Sequence, residues 1–382
     1  MGGPDTVSWQ QQCVRMGGQM GLLLASIALA VGAAEWVVRV VVPQQLILIR
    51  PDIWIPHDGL GWVVRSGLNT RINTGERMVD IFTDEDGFRI GAEGRRSGDL
   101  QILLLGDSFM QALQVEHEQS FAGLIESRLS RRLHRPVAVR NAGVDGWGPS
   151  QYRRRTADIL DRQPIDLVVV AVYLGNDLVD EDRNYIPPRE ATEAHSLRLP
   201  RSFSRHEWID ALLHPLNDYF ETRSHLFILV KTRLRAARLR LGMSAAYVPY
   251  GVRRSDANRP IWEVTARLFA EMDQYGAQRG SPMVFVLIPS PFAVDPSVFR
   301  EVARGFALDE RELDATQPNR LLAEALRDRH LTVISAQADF ERAHRDGVSL
   351  YGRIDRHLSP AGHEQLYHLV EPLLIDTLRG RE

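Results

Sequence analysis

The sequence contains a single cysteine, Cys13, among its 382 residues. One thiol cannot form an intrachain disulfide, and it excludes a zinc site built from several cysteines. The 12 histidines are scattered along the chain, and no pair of them has the spacing of a typical zinc site. We therefore expect neither a bound metal nor a cofactor.

The sequence also lacks an excess of positive charge. It has 46 Lys and Arg residues against 49 Asp and Glu residues, which gives a formal net charge of −3. Bulk electrostatic binding to nucleic acid needs a basic surface, so the composition argues against a nucleic-acid partner. The length and the 44% hydrophobic content are sufficient for one large core and an accessory layer.

A long hydrophobic run occurs near the N-terminus. Residues 16–34 carry no charge, and after Glu35 two further apolar runs, 36–38 and 40–42, lie on either side of Arg39. About 20 such residues span a bilayer. We expect residues 1–15 to form an N-terminal tail and residues 16–42 to form a single transmembrane anchor.

The flanks of this run favour an anchor over a secretory signal. Trp36 is suited to the membrane interface, and the long side chain of Arg39 can reach the headgroups. The alternative is a cleaved signal peptide, with the small residues Gly32, Ala33 and Ala34 before the cleavage point. In a bacterial cell both readings place the rest of the chain on the outer side of the cytoplasmic membrane.

After the anchor, residues 44–98 predict a short β-rich lead-in, with strands near 60–64 and 78–82 and a plain turn at 84–89. From residue 99 to 382, buried-strand runs alternate with helical periodicity. The expected strands are 102–105, 137–140, 165–173, 283–288 and 331–334, and the expected helices are 121–133, 151–161, 260–278, 317–329 and 360–378. This alternation predicts an α/β domain with a parallel sheet between helices. A helical insert at about 178–259 interrupts it.

Polar clusters follow several of these strands, and together they contain the groups needed for acyl transfer. Ser108 follows the first strand as a candidate nucleophile, with His357 as the base and Asp355 as the residue that orients the imidazole. The N–H groups of Ser108 and Gly146 and the side-chain amide of Asn176 can form an oxyanion hole. The competing interpretations are a helix cap for Ser108 or Asn176 and a turn glycine for Gly146.

Four blocks of this sequence resemble those of the SGNH hydrolases, in the GDSL esterase and lipase superfamily. The blocks are Gly106-Asp107-Ser108, Asn141 to Gly146, Gly175-Asn176-Asp177 and Asp355-Arg356-His357, in the family's order. The resemblance implies a flavodoxin-like three-layer α/β/α core of the membrane-anchored envelope type, with a lead-in that packs beside the active site. One residue separates Asp355 from His357 where the family usually has two. Some envelope-polysaccharide acetylation proteins of the superfamily share this shorter spacing.

Three functions follow from these residues. The first is a serine esterase that cleaves or transfers an acyl group, most simply acetyl, from a glycan or lipid ester. The second is an O-acetyltransferase of envelope polysaccharide, and the third is a non-catalytic glycan-binding envelope protein. The sequence indicates no protein partner.

Other polar residues near the blocks have more ordinary interpretations. His363 is expected to pack on a helix that begins at Pro360, and Asp107 and Asp177 are expected to hold local backbone N–H groups. Residues 231–241 predict a basic amphipathic helix. It is either a solvated cover, a lid over Ser108 or a contact with anionic lipid headgroups.

Overall fold

The computed structural model describes residues 9–44, 53–74, 76–177, 219–220, 223–240, 252, 254, 259–305 and 308–379. The start of the predicted tail and most of the predicted insert lie outside these ranges. Internal contacts divide the chain into two units, one of residues 1–48 with 204–234 and one of residues 49–203 with 235–382.

Ten strands occur in the described residues. They are β1 (Trp54–His57), β2 (Gly61–Val64), β3 (Asn69–Asn73), β4 (Met78–Thr83), β5 (Arg89–Ile90), β6 (Leu100–Leu105), β7 (Val137–Asn141), β8 (Leu167–Tyr173), β9 (Met283–Ile288) and β10 (Val333–Ser335). β1 and β2 form an antiparallel pair, and the other eight form one sheet in the order β10-β9-β8-β6-β7-β5-β4-β3.

The helices of the described residues occur mainly between and after the strands of the large sheet. They are α1 (Trp9–Val41), α2 (Ser108–Gln111), α3 (Phe121–Leu124), α4 (Ser130–Leu133), α5 (Pro149–Leu160), α6 (His225–Arg240), α7 (Arg259–Ala277), α8 (Pro291–Val294), α9 (Pro296–Gly305), α10 (Gln317–Arg327), α11 (Gln337–Arg345) and α12 (Pro360–Arg379). A π-helical stretch, Ile125–Leu129, joins α3 to α4, and short 3₁₀ turns occur at His117–Gln119 and Glu310–Glu312.

The five strands β6 to β10 pair in parallel. Counted in chain order, they lie side by side as 2-1-3-4-5, which is the flavodoxin-like doubly wound arrangement. The predicted parallel α/β fold is therefore confirmed. The strand order itself follows from the pairing, because alternation along a sequence does not specify which strands are neighbours.

Helices cover both faces of this parallel sheet. Ile102 and Leu104 of β6 pack into one buried cluster with Phe121 of α3 and Tyr367 of α12. On the other side α7 contacts α5 and α10, and Phe269 of α7 packs against a phenylalanine of β9 with ring centroids 5.0 Å apart. Successive strand residues point to opposite faces, so nearly continuous apolar runs are needed to fill two helix–sheet interfaces.

The lead-in extends the same sheet. β3, β4 and β5 pair antiparallel with one another, and β5 joins β7 through the pair Arg89 and Asn141. The turn between β4 and β5 is held by Asp84, whose Oδ1 atom accepts the N–H groups of Asp86 at 3.0 Å and Phe88 at 2.9 Å. The plain turn predicted at 84–89 is thus confirmed. The sequence did not predict that the lead-in adds strands to the main sheet.

In the first unit, α1 is a helix of 33 residues. Its segment Arg15–Val41 has a mean hydropathy of 2.0 and is the candidate membrane span among the described residues, with none of its most apolar window buried. Length and composition of this kind are shared by membrane anchors and signal sequences. The helix also begins at Trp9, inside the stretch expected to be tail.

The basic segment predicted at 231–241 lies in a helix, α6, up to Arg240. The first half of α6 is apolar, from Leu226 to Val230, and its second half carries the basic residues, with Leu234 and Leu239 among them.

Candidate active site

Ser108 lies where the first strand of the parallel sheet ends. After β6, Gly106 and Asp107 lead into the short helix α2, which begins at Ser108. A Cβ atom at Gly106 would lie 3.0 Å from the backbone oxygen of Ala171, so a larger residue would disturb this turn. The site is also the topological switch point of the sheet, because β7 and β8 lie on opposite sides of β6. Ligand sites of doubly wound sheets form at such points.

A continuous chain of hydrogen bonds joins Ser108, His357 and Asp355. The Nε2 atom of His357 is 2.8 Å from the Oγ atom of Ser108, and its Nδ1 atom is hydrogen-bonded to Oδ1 of Asp355. The second carboxylate oxygen of Asp355 accepts a hydrogen bond from Nε2 of Gln114 at 3.1 Å. The fold thus brings together three residues predicted from sequence, two of which are 249 positions apart.

The one-residue spacing between Asp355 and His357 is accommodated by a tight turn. Arg356, the residue between them, has a φ of +65°, in the left-handed region that few non-glycine residues adopt. The N–H of His357 donates to Oδ1 of Asp355 at 3.3 Å, and its carbonyl oxygen accepts the N–H of Gly352 at 2.8 Å. Both side chains consequently face the same way with a single residue between them.

Two further residues support Asp355 and were not predicted from sequence. The Oε1 atom of Glu76, in the turn between β3 and β4, accepts the N–H groups of Ile354 and Asp355, the latter at 3.3 Å. Gln114 lies in a loop held by buried Arg89, which donates to the backbone oxygens of Gln111, Ala112 and Val115. No spacing rule connects Glu76 with a loop 279 positions away.

The surroundings of His357 favour its charged form. Burial lowers the pKa of the imidazole, but the hydrogen bond that it donates to Asp355 and the negative charges of Asp355, Asp107 and Asp145 raise it more. The net result is a pKa above the ordinary value of 6.5. An imidazole with a raised pKa is a stronger base toward the Ser108 hydroxyl once it is deprotonated.

Aromatic rings pack beside the imidazole. The ring of Phe109 lies 4.8 Å from the ring of His357 and stacks on Tyr173 with centroids 3.6 Å apart. Burial and the charges of Asp107 and Asp177 raise the pKa of the Tyr173 hydroxyl, so it stays protonated. This packing limits the rotation of the His357 side chain.

The candidate oxyanion donors lie in loops at the same edge of the sheet. Gly146 follows β7 and has a φ of +73°, a conformation that favours glycine. Asn176 follows β8, and the next residue, Asp177, accepts the N–H of Tyr173 at 2.9 Å and the hydroxyl of Tyr152 at 3.0 Å. The loops after β6, β7 and β8 therefore bring Ser108, Gly146 and Asn176 to one edge.

The lead-in packs beside the loop that carries Gly146, as the resemblance implied. The indole of Trp62 on β2 donates to the backbone oxygen of Asp145 at 2.8 Å, and the indole of Trp147 donates back to the carbonyl of Trp62 at 3.0 Å. The N–H of Asp145 also donates to Oε1 of Gln111 at 2.9 Å. These contacts fix the backbone on both sides of Gly146.

Two other polar residues, Asp107 and His363, accept backbone N–H groups. Asp107 accepts the N–H of Phe109 at 2.9 Å, as predicted, and its Oδ2 atom lies 3.4 Å from Oγ of Ser108. His363 is 1% exposed on α12 and accepts the N–H of Phe121 at 3.3 Å. Burial, together with the charges of Arg89 and His357, lowers the pKa of His363 to about 3, so this imidazole is neutral at physiological pH.

No protein-family model matches the sequence, and no curated protein matches it. Among solved structures the chain is similar to TesA, with a TM-score of 0.37 and 14% identity over 72% of this chain and 99% of TesA. It is similar to a member of the lipolytic protein G-D-S-L family from Veillonella parvula DSM 2008, with a TM-score of 0.39 and 10% identity over 72% of this chain and 98% of the other.

A third similar structure is the acetyl xylan esterase AlAXEase, with a TM-score of 0.40 and 12% identity over 72% of this chain and 100% of that enzyme. Similarity at this level carries no conclusion about activity or substrate. The fold stands on the observed strand order. Within the described residues, no group of three or more His, Cys, Asp and Glu side chains could hold a metal ion.

Proposed function

We propose that this protein is a membrane-anchored serine esterase of the SGNH type, which acts on an acyl ester through an acyl-serine intermediate. One observation carries the proposal. Ser108, His357 and Asp355 form a hydrogen-bonded relay at the switch point of a doubly wound sheet. Serine, imidazole and carboxylate in this order are the groups that activate a hydroxyl for attack on a carbonyl.

In the proposed acylation step, the Oγ atom of Ser108 attacks the ester carbonyl carbon as Nε2 of His357 takes the hydroxyl proton. Asp355 receives the Nδ1–H hydrogen bond and stabilises the imidazolium that forms. The carbonyl oxygen becomes an oxyanion, for which the N–H groups of Ser108 and Gly146 and the amide of Asn176 are the proposed donors. The C–O bond then breaks, and the alcohol leaves with the proton from His357.

In the proposed second step, His357 removes a proton from the acyl acceptor, which attacks the acyl-Ser108 ester. Water as acceptor gives hydrolysis and a free acid, whereas a sugar hydroxyl gives acyl transfer. The bond between the acyl carbon and Oγ of Ser108 then breaks, and His357 returns the proton to Oγ, which regenerates Ser108 in both cases.

An O-acetyltransferase of envelope polysaccharide is the second candidate. The single residue between Asp355 and His357 favours it, because this spacing resembles that of some envelope-polysaccharide acetylation proteins of the superfamily. Incubation of the protein with an acetyl ester and an unacetylated glycan distinguishes the two, since transfer produces acetylated glycan and hydrolysis produces only acetate. A purely glycan-binding role would not require the hydrogen-bonded relay of Ser108, His357 and Asp355.

Labelling of the purified full chain with a fluorophosphonate, followed by peptide mapping, tests the proposal. We expect one modified residue, Ser108. Ser108→Ala should abolish labelling and lower ester hydrolysis on the order of 10³-fold or more. Ser290→Ala is a matched control, because Ser290 is another buried serine that follows a strand of the same sheet. Labelling that persists in Ser108→Ala, or ester hydrolysis equal to that of the wild type, would show that Ser108 is not the nucleophile.

A further inference from the structure

The start of α6 is bonded to the end of the apolar helix α1. The carboxylate of Glu35 accepts the N–H groups of His225 at 3.0 Å and Leu226 at 2.9 Å, and also the hydroxyl of Ser224 at 2.8 Å. Arg39, one turn further along α1, donates to the carbonyl oxygen of Arg223 at 2.9 Å. Glu35 thus caps the N-terminus of α6, and the bonds of Glu35 and Arg39 attach the start of α6 to the C-terminal part of α1.

This junction lies at the boundary of the uncharged part of α1. The uncharged stretch from Met16 to Ala34 would be about 28 Å long as a helix, close to the hydrocarbon thickness of about 30 Å. Glu35, the next residue, would then lie at the headgroup level. Since Glu35 caps α6, the first turn of α6 lies at the same level.

Exposed aromatic residues surround the same junction. Trp36 is 67% exposed, Tyr219 is 54% exposed and Phe220 is 41% exposed. The carbonyl oxygen of Phe220 accepts the N–H of Ser224 at 2.8 Å, and the ring of Phe220 stacks on Phe227 of α6 with centroids 5.5 Å apart. Trp and Tyr side chains are enriched at the membrane interface, where one end of the ring is apolar and the other is hydrated.

The charge of α6 complements an anionic surface. Residues 223–240 contain six Lys and Arg residues and no Asp or Glu, although the whole chain has a net charge of −3. Among them Lys231 and Arg233 are exposed, and so are the apolar Val230, at 48%, and Leu234, at 57%. A basic cluster beside a membrane span, with exposed apolar residues among the charges, is suited to acidic phospholipid headgroups.

We propose that residues 219–220 and 223–240 form a membrane-surface element that binds the anionic headgroups of the bilayer holding α1. The inference rests on the proposed membrane anchoring. It adds anionic lipids to that proposal. A neutral bilayer could bury the apolar residues of α6, but it carries no net charge to pair with the basic residues.

A depth measurement on the full-length protein tests this assignment. Val230→Cys in a Cys13→Ser background carries an environment-sensitive NBD dye, and the protein is reconstituted in vesicles with nitroxide-labelled acyl chains. Vesicles of phosphatidylcholine alone are compared with vesicles that also contain phosphatidylglycerol. We expect a blue-shifted, quenched dye in the anionic vesicles, and a clearly weaker effect in the neutral ones or at high salt.

Charge-neutralised variants make the test specific. Combined Gln substitutions at Lys231, Arg233 and Arg235 should weaken the surface contact roughly 100-fold, since each basic residue near an anionic bilayer contributes about 1 kcal/mol. The same three-charge change at the exposed residues Arg311, Arg320 and Arg342 should have no effect. Both variants should hydrolyse a soluble ester at the wild-type rate.

Equal quenching in neutral and anionic vesicles, or a dye that stays in water in both, would overturn the lipid assignment. Failure of the anchor itself gives a different result, because alkaline extraction would then release the unmodified protein from native membranes. In that case vesicle flotation of the released protein tests whether α6 binds anionic lipid without the anchor. Binding to anionic vesicles that the Lys231, Arg233 and Arg235 variant lacks would support the assignment, and no binding would overturn it.

Discussion

Carboxylates from three different loops surround the imidazole of His357. They are Asp107 after β6, Asp145 after β7 and Asp355 before α12, and together they hold the pKa of His357 above 6.5 despite its burial. The deprotonated imidazole is the proposed base, so activity should fall as the pH falls through this raised pKa. In the plot of kcat/KM against pH we expect an acid limb with its midpoint above 6.5.

Removal of the Asp355 charge should move this midpoint to lower pH. Asp355→Asn takes away the largest of the effects that raise the pKa, and it should also lower kcat, on the order of 10³-fold, because the imidazolium loses its partner. Kinetics over a pH series for both proteins provide the measurement. An acid limb that stays in place in Asp355→Asn would assign the titrating group to a residue other than His357.

Glu76 is predicted to be a positioning residue for the same relay. Glu76→Ala removes the acceptor of two backbone N–H groups at Ile354 and Asp355, so the turn before His357 should loosen. We expect kcat to fall about tenfold with KM little changed, and the acid limb to move to lower pH. Glu76→Gln retains a side-chain oxygen and should restore both. A purely structural role would lower the melting temperature in Glu76→Ala without moving the pH profile.

Asn176 tests the proposed oxyanion hole. Asn176→Ala should lower kcat by roughly 10²–10³-fold, equivalent to about 2.7–4 kcal/mol, because a transition-state donor is lost. KM should change little, since the ground-state carbonyl needs that donor less. A variant with a raised KM and a normal kcat would instead make Asn176 a substrate-binding residue.

The relay was predictable from sequence because each member has a local signature. Ser108 directly follows a buried strand, and Asp355 and His357 lie together before the strong helix start at Ser359 and Pro360. Glu76 and Gln114 have no such signature. They act through hydrogen bonds that exist only after distant segments have packed, and neither residue type nor spacing indicates those contacts.

At the scale of elements, the predictable strands were apolar runs, both the buried strands of the parallel sheet and the strands β2 and β4 of the lead-in, whose limits differ from the prediction by one residue. β9 has the predicted limits, and β6, β7 and β8 differ from theirs by at most two residues at either end. The two-residue strand β5 was missed, because its pairing depends on Arg89 meeting Asn141 across the sheet. Helix α11 was also missed, since its apolar face in the core is small, with Phe340 and Ala343 as its buried residues.

The burial of His363 on α12 should make the stability of the fold depend on pH in the acid range. The pKa of buried His363 is about 3 in the folded chain, against an ordinary value of 6.5 for an accessible imidazole. Between these values the unfolded chain binds a proton that the folded chain does not. The free energy of unfolding should therefore not depend on His363 above pH 6.5. As the pH falls from 6.5 toward 3, protonation of His363 in the unfolded chain should lower the free energy of unfolding by about 1.4 kcal/mol per pH unit.

His363→Gln retains an acceptor for the N–H of Phe121 but cannot be protonated in this range. Its unfolding free energy should therefore depend less on pH below 6.5 than that of the wild type. Thermal unfolding of the detergent-solubilised chain, followed by circular dichroism at several pH values, measures the difference. Parallel profiles for the two proteins would show that His363 does not titrate differently on folding.

At the scale of the whole molecule, the chain combines a doubly wound α/β domain with an apolar helix whose most apolar window is not buried. Hydropathy predicted that helix, and the parallel sheet followed from the alternation of elements. The contact between α1 and the start of α6 could not be predicted, because it depends on hydrogen bonds from the backbone of His225 and Leu226 to Glu35, 190 and 191 positions away. Those bonds give Glu35 partners that offset the cost of a carboxylate next to an apolar span.

The last prediction concerns the anchor. If Arg15–Val41 spans the membrane, extraction at high salt and high pH should leave the full-length protein in the membrane fraction, since insertion of a span this long is effectively irreversible. Protease added to spheroplasts should then digest the part of the chain from residue 49 onward, because the catalytic domain is proposed to face outward. A soluble form that begins near Ala34 would identify a cleaved signal peptide instead. Full protection from external protease would reverse the proposed orientation and place the esterase on the cytoplasmic side.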